Sequence, residues 1–314
     1  MIRAPHFAAL ALLTLSACGG DASLAPVEDG VGVGAARTAA LARSDETSGN
    51  VPARIASLDP ALTSLVSALG AAPRLVGRTR HCALPAGIEV PVVGDLRPVP
   101  ELVLAATPDL VVMADYPSQA ADRAALEALG APVLALPLVT LGDLTAATRT
   151  LGDRLGLTDR ATALNTALEA ALEGLGGCER HLGSTGRPPT VAIIHGLEGG
   201  FVYTTGGGDH VEGLLARAGL VNALAGHPRT ARLGLEVVVA ARPDVILHTA
   251  PSAAMTDSAS ALAIWGRFPE LPAVKAGRIR VWPDDRLARN GPHLAAVAGE
   301  LCNFLASGSV AGRP

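Results

Sequence analysis

Two strings in this chain, ELVLAATPDLVVM from Glu101 and EVVVAARPDVILH from Glu236, align without a gap at a spacing of 135 residues. Each reads as a short helix opened by a glutamate, a turn carrying Pro-Asp, and a buried strand. A repeat of that length in both halves constrains the fold strongly, because the chain must then hold two like α/β units. The pattern around the strings agrees. Ahead of the first, RIASL reads as a strand and DPALTSLVSALG as a helix, with Asp59 as N-cap, Pro60 at the first helical position and Gly70 as terminator. RLVGRT, VPVVG, DLVVMAD and APVLALP continue as strands, alternating with helical segments, which predicts a largely parallel sheet.

The second half repeats the alternation. TVAIIHG, FVYTT, DVILHTA and RIRVWP read as strands, and helices are expected at DHVEGLLARAG, LEVVVAA, SALAIWGRF and from Pro292 to Ala306. Between the halves lies LTDRATALNTALEAALEGLGG. There Ala161, Leu164, Leu168, Ala171, Leu172 and Leu175 recur at helical spacing. The expectation is one linking helix of roughly 20 residues, about 30 Å long. The fold class is thus α/β: two Rossmann-like lobes with central, mainly parallel sheets, joined by a single long backbone helix. The boundaries are 53–157 for the first lobe, 158–182 for the linking helix and 188–308 for the second lobe.

The N-terminal stretch has Arg3, an apolar run from Phe7 to Leu15, and then Ser16-Ala17-Cys18. It is too short to span a bilayer and fits an export signal. Residues 1–17 read as a signal peptide. Cys18 reads as a lipidated cysteine because LSAC resembles the bacterial lipobox, and residues 18–52 read as a flexible tether. Buried acyl carbons contribute about 0.8 kcal/mol each, so several chains anchor stably. The expected location is the periplasm, with membrane contact through the lipid anchor alone. A net charge of −4 and no long basic run exclude a nucleic-acid partner.

The order and spacing of RIASLDPALTSLVSALGAAPRLVGRT, PVVGDLRPVPELVLAATPDLVV, LEALGAPVLAL, LLARAGLVNAL, LEVVVAARPDVIL and LPAVKAGRIRVW carry a family resemblance over about residues 53–306. The chain resembles the iron/cobalamin-type, helical-backbone substrate-binding lipoproteins of ABC importers. The resemblance implies a monomer that captures a metal chelate between its lobes and delivers it to a permease dimer with its ATPase. No intrinsic cofactor is implied. Cobalamin or a related corrinoid leads among the cargoes, ahead of ferric siderophore and heme. It also places Glu101 and Glu236 where family members meet arginines of the permease, although a glutamate in a first helical turn is also favoured by the helix dipole alone.

Cleft loops follow the strand ends in such sheets. The ligand-contact candidates are therefore Asp59, Arg80, His81, Cys82, Leu96, Arg97 and Tyr116 in the first lobe. In the second they are His195, Tyr203, Arg286 and Arg289. Arg97, Arg286 and Arg289 suit an anionic ligand through their guanidinium forks. His81 and Cys82 are candidate ligands to an iron or cobalt centre. By resemblance, Tyr203 occupies a corrin-contacting position, Leu96 and Arg286 replace aromatics of the cobalamin binders, and Leu84 replaces a tyrosine of the heme binders. Cys302 stands at a disulfide position whose usual partner position holds Ala218, so that bridge is absent and Cys82 with Cys178 is the remaining pair to consider. Two rival readings are a binder of bare Zn²⁺ or Mn²⁺, using several of His81, His195, His210, His248 and His293, and an exported α/β enzyme. The sequence has neither a G-x-S-x-G elbow nor a Walker lysine, so no enzymatic activity is expected.

Overall fold

The computed structural model describes residues 51–182, 186–229, 231–250 and 257–307. The expected signal peptide, the lipidated Cys18 and the tether as far as residue 50 lie outside the described residues. The body has two sheets. The first is wholly parallel and ordered β3-β2-β1-β4-β5, from β1 (Ile55–Ser57), β2 (Leu75–Thr79), β3 (Val92–Gly94), β4 (Leu110–Ala114) and β5 (Val133–Leu136). Helices α1 (Pro60–Ala68), α2 (Pro100–Ala105) and α3 (Ala120–Ala128) connect its strands. Local chemistry sets α1: Asp59 Oδ1 accepts from the amides of Ala61 (2.8 Å) and Leu62 (3.1 Å), Pro60 pre-sets the first turn, and Gly70 leaves it at φ +86°.

Two helices follow, α4 (Leu141–Leu155) and α5 (Thr158–Glu173). They approach closely where a side chain on Gly152 would collide with Ala161. The linking helix is shorter than its hydrophobic spacing suggests. It stops at Glu173 because Gly174, Gly176 and Gly177 follow, and the chain then makes a 3₁₀ turn over Cys178–Leu182. Leu168 and Leu172 of α5 are buried, each contributing about 1.5–3 kcal/mol of apolar burial.

The second sheet runs β11-β10-β6-β7-β9, with β8 pairing β6. Its strands are β6 (Thr190–Glu198), β7 (Phe201–Thr204), β8 (Val221–Asn222), β9 (Ala231–Gly234), β10 (Val245–His248) and β11 (Ile279–Val281). Helices α6 (His210–Arg217), α7 (Leu235–Ala241), α8 (Ser258–Trp265), α9 (Pro272–Lys275) and α10 (Leu294–Ala306) surround it. Strands β11, β10, β6 and β8 are parallel, whereas β7 and β9 add an antiparallel ribbon. One continuous hydrophobic cluster takes in Ile55 and Val112 of the first sheet, Leu151, Leu168 and Leu172 of α4 and α5, and Val191, Leu247 and Leu301 beyond them.

The repeated string has the same physical role in both halves. Thr107 and Arg242, the residue before Pro-Asp in each copy, are the non-glycine residues with positive φ among those described, at +46° and +47°. A following proline disfavours the right-handed helical region, so the chain leaves each helix through the left-handed one. The two aspartates then bind the start of the neighbouring strand. Asp109 accepts from the amides of Ala53 (2.9 Å) and Arg54 (2.8 Å), and Asp244 accepts from the amide of Thr190 (2.8 Å). Asp244 also holds Arg187 in a fork of 2.8 and 3.1 Å. Withdrawal from water acts to raise the Asp244 pKa, but the Thr190 and Arg187 bonds outweigh it and hold the carboxyl below its usual value. Its contribution to stability is therefore full above the unfolded aspartate pKa of about 3.9 and is lost as pH falls through the lower folded value. Asp244→Asn is expected to lower stability at pH 7 and to flatten its fall below pH 4; parallel acid denaturation curves for the two proteins would contradict this.

Cys178 and Cys302 form a disulfide, with Cα atoms 5.2 Å apart, and Cys82 is a free, buried thiol. The Cys82–Cys178 pairing considered from the sequence is thus corrected. The absence of a cysteine at position 218 is met from nearby: the Glu179 amide donates to the Ala218 carbonyl at 3.2 Å, so Cys178 sits beside Ala218 and receives Cys302 of α10 instead.

Candidate functional site

A cavity of about 720 Å³, within the usual size range for small-molecule sites, is lined by both lobes. Asp59, Tyr116 and Val139 follow the carboxyl ends of β1, β4 and β5. His195, Asp209, His210, Arg229 and Arg289 face them from the second lobe. Asp59 is buried as the N-cap of α1; burial raises its pKa against the two amides that it accepts. The Tyr116 phenol is pushed up to about 12, by burial first and then by the Asp59 carboxylate, so it stays protonated and neutral.

His195 owes its position to an irregularity in β6. Ile194 pairs with Thr204 and Gly196 with Tyr203, so His195 is the extra residue of a bulge against β7. Bulges re-aim side chains in this way. Its Nδ1 lies 3.0 Å from Thr249 Oγ1, and Nε2 lies 4.0 Å from Asp209 Oδ2. Desolvation lowers its pKa, opposed by Asp209, so the ring is neutral at pH 7. The neutral ring can take either tautomer: a proton on Nδ1 is donated to Thr249 and leaves Nε2 a lone pair, as in metal-binding imidazoles, whereas a proton on Nε2 faces Asp209 and lets Nδ1 accept from the Thr249 hydroxyl. His210 differs. It is buried, its Nε2 is 3.1 Å from the Leu287 carbonyl, and desolvation lowers its pKa.

Asn290 bridges the lobes. Its Nδ2 donates to the carbonyls of Leu138 (3.1 Å) and Thr140 (2.8 Å), while its buried Oδ1 has no partner. Arg289 donates from Nη2 to Asp285 at 2.7 Å, and its Nε is likewise buried without a partner. Both atoms are sealed from solvent within the wall, so the cavity residues Arg289 and Asn290 each carry one buried polar atom without a partner.

The structure brings Asp59, Tyr116, His195 and Arg289 together at this cavity, with His210 of the bare-ion reading beside them; the other ligand-contact candidates lie outside its lining. Arg97 is spent on Asp122 through Nε and Nη2. Arg286 forks onto Glu300 at 3.2 and 2.9 Å and also binds Asp284. Arg80 lies 3.6 Å from Asp95. Leu96 and Tyr203 are exposed. His81 and Cys82 diverge: His81 is an exposed ring 2.7 Å from Asp95 Oδ1, whereas the Cys82 thiol is buried against Thr79 Oγ1 and the Ser57 carbonyl. The two side chains thus point to different surroundings, and neither lines this cavity. Among the described residues no three His, Cys, Asp or Glu side chains converge to hold a metal ion. Sequence reasoning missed Arg229 and Asn290 because both lie in loops without periodicity. Asp209 carried a local signal, the polar residue capping α6, where its Oδ1 accepts from the Glu212 amide at 2.9 Å.

Two α/β lobes lining one ligand-sized cavity, with helices in the connection between them, define a protein that captures a small molecule. Residues 55–286 match the periplasmic binding protein family, and the chain belongs to it, as a substrate-binding protein of the ABC-importer type. An uncharacterized ABC transporter substrate-binding lipoprotein of Bacillus subtilis is 26% identical over 268 residues, covering 83% of this chain and 82% of that one. A periplasmic heme-binding protein from Pseudomonas aeruginosa superposes with a TM-score of 0.65 at 26% identity, covering 82% of this chain and 94% of its own. The vitamin B12 binding protein of Vibrio cholerae superposes with a TM-score of 0.65 at 21% identity, covering 81% and 97%, and shows the shared fold.

Proposed function

We propose that this protein is lipid-anchored through Cys18 and captures an iron porphyrin of the heme type between its lobes for delivery to a membrane permease. The observation that carries this reading is the bulge-borne His195. In the tautomer protonated at Nδ1 its Nε2 is free to ligate a metal centre, in the same cavity where Arg229 can meet a carboxylate. The heme-binding relative at 26% identity supports a porphyrin ahead of a corrinoid, which reverses the order favoured by the sequence. A bare divalent ion has less support, since the described residues bring no three ligating side chains together.

The test is retention. Protein freed of its lipid is incubated with hemin or with cobalamin, desalted, and examined by visible absorption. Stoichiometric hemin is expected to stay with the protein. His195→Ala is expected to weaken it by on the order of 100-fold, at least as much as losing an outer partner costs a metal site. Retention of cobalamin but not hemin overturns the porphyrin reading, and retention of neither overturns the reading that this cavity takes either chelate.

A further inference from the structure

Two kinds of contact join the lobes besides the linking segment. Outside the cavity lining the contact is apolar: Gly213 of α6 sits against Leu141 of α4, where a side chain on the glycine would lie 3.0 Å from Leu141 Cδ1. At the cavity the contact is polar. Among the described residues, Asn290 makes both hydrogen bonds found between the chain up to α4 and the chain from β6 onward, to the carbonyls of Leu138 and Thr140 at sequence separations of 152 and 150. Leu138 and Asn290 both line the cavity, so the bridge crosses its wall. The two acceptors fix which way the amide points, because reversing it would set Oδ1 against two carbonyl oxygens.

Each end of this bridge has ordering contacts of its own. On the first lobe, Asp143 Oδ2 accepts from the amides of Val139 (3.0 Å) and Thr140 (2.9 Å) in the capping box of α4. On the second, His293 Nε2 faces two carbonyls, so it carries the ring proton and donates to Arg286 (2.8 Å) and Arg289 (3.0 Å), while Arg289 binds Asp285. The two bonds from Asn290 therefore act between the lobes rather than within either. Its Oδ1 pulls the other way: it is buried without a partner while the lobes are together and gains water when they part. Two bonds favour the closed arrangement and one orphaned oxygen favours the open one, and a ligand that binds the two arrangements unequally shifts the balance. Apolar contacts have no direction and tolerate a change of angle, whereas the two carbonyls accept in one register only. We propose that Asn290 is a latch between the lobes: it sets the width of the cavity, and its two bonds break whenever the lobes part.

The test is made on the ligand-free chain, so its outcome does not depend on which chelate the cavity takes. Ala120, just past Ser118 of the cavity wall, and Ala225, shortly before Arg229 on the opposite lobe, are both exposed; each is replaced by cysteine and spin-labelled. Cys18 is replaced by serine, Cys82 is buried, and Cys178 and Cys302 bond each other, so the labels go to the two new cysteines. Double electron–electron resonance reads the distance between them. Asn290→Asp keeps the shape of the side chain but sets an oxygen where the donors were, and Asn290→Ala simply removes the donors. Both variants are expected to lengthen the mean distance by about 2 Å or more, the scale of a domain rearrangement. The alanine variant decides: lengthening there supports the latch. An unchanged or shorter distance overturns it even if the aspartate variant lengthens, since that effect would belong to repulsion by the new carboxylate.

Discussion

Uptake is expected to fall by two orders of magnitude or more when Glu101 and Glu236 are both replaced by arginine, while hemin retention stays within twofold. Both carboxylates are exposed, and neither lines the interlobe cavity, so ligand affinity has no route to change. The cost to the fold is small, about 0.3–1 kcal/mol for each lost interaction with a helix N-terminus. The cost to docking is larger. Like charges forced together at an interface cost several kcal/mol, and every 1.4 kcal/mol is tenfold in affinity. Uptake that survives the double reversal would remove these two residues from the docking role.

A fall in melting temperature of about 10–20 °C is expected for the Cys178→Ser, Cys302→Ser protein. The bridge closes a loop with a sequence separation of 124 residues. On the chain-entropy account, constraining a loop of that size removes about 5 kcal/mol of freedom from the unfolded chain. A domain of this size shifts by about 2–4 °C per kcal/mol. The bridge also fixes α10, which packs through Leu301 and Leu305 into the shared cluster. Reductant should lower the melting temperature of the unaltered protein toward that of the double variant and leave the variant unchanged. A shift below about 2 °C in both comparisons would show that α10 holds without its covalent tie. Cys82 is buried and should resist alkylation in the folded protein whether or not the bridge is reduced.

The parts of the fold that local chemistry decides were legible in the sequence. Asp59-Pro60 opens α1 where expected, and the Pro-Asp strings mark the same turn twice. The short β8 and β9 were not legible. Ala-Arg-Leu-Gly has no alternation of its own and becomes a strand only by pairing with β7. The site was legible in its strand-end positions, since Asp59, Tyr116, His195 and Arg289 reach one cavity. Which arginines remain available was not. Arg97 and Arg286 are claimed by Asp122 and Glu300, 25 and 14 residues away, and sequence spacing carries no record of such pairings. The disulfide was hidden for the same reason. Four cysteines in an exported chain suggest a bridge, but only folding brings the turn after α5 against α10.

The hydrophobic cluster that runs unbroken from the first sheet through α4 and α5 to the second gives the two halves a common fate. Each half keeps a cluster of its own, around Val111 and Met113 in the first and around Ile246 and Trp265 in the second, but its remaining core is shared with the other half. A chimera that takes one half from a relative inherits one side of a mould and must supply the matching cast. Exchange between relatives will therefore succeed along the loops that line the cavity and fail across the helices behind it.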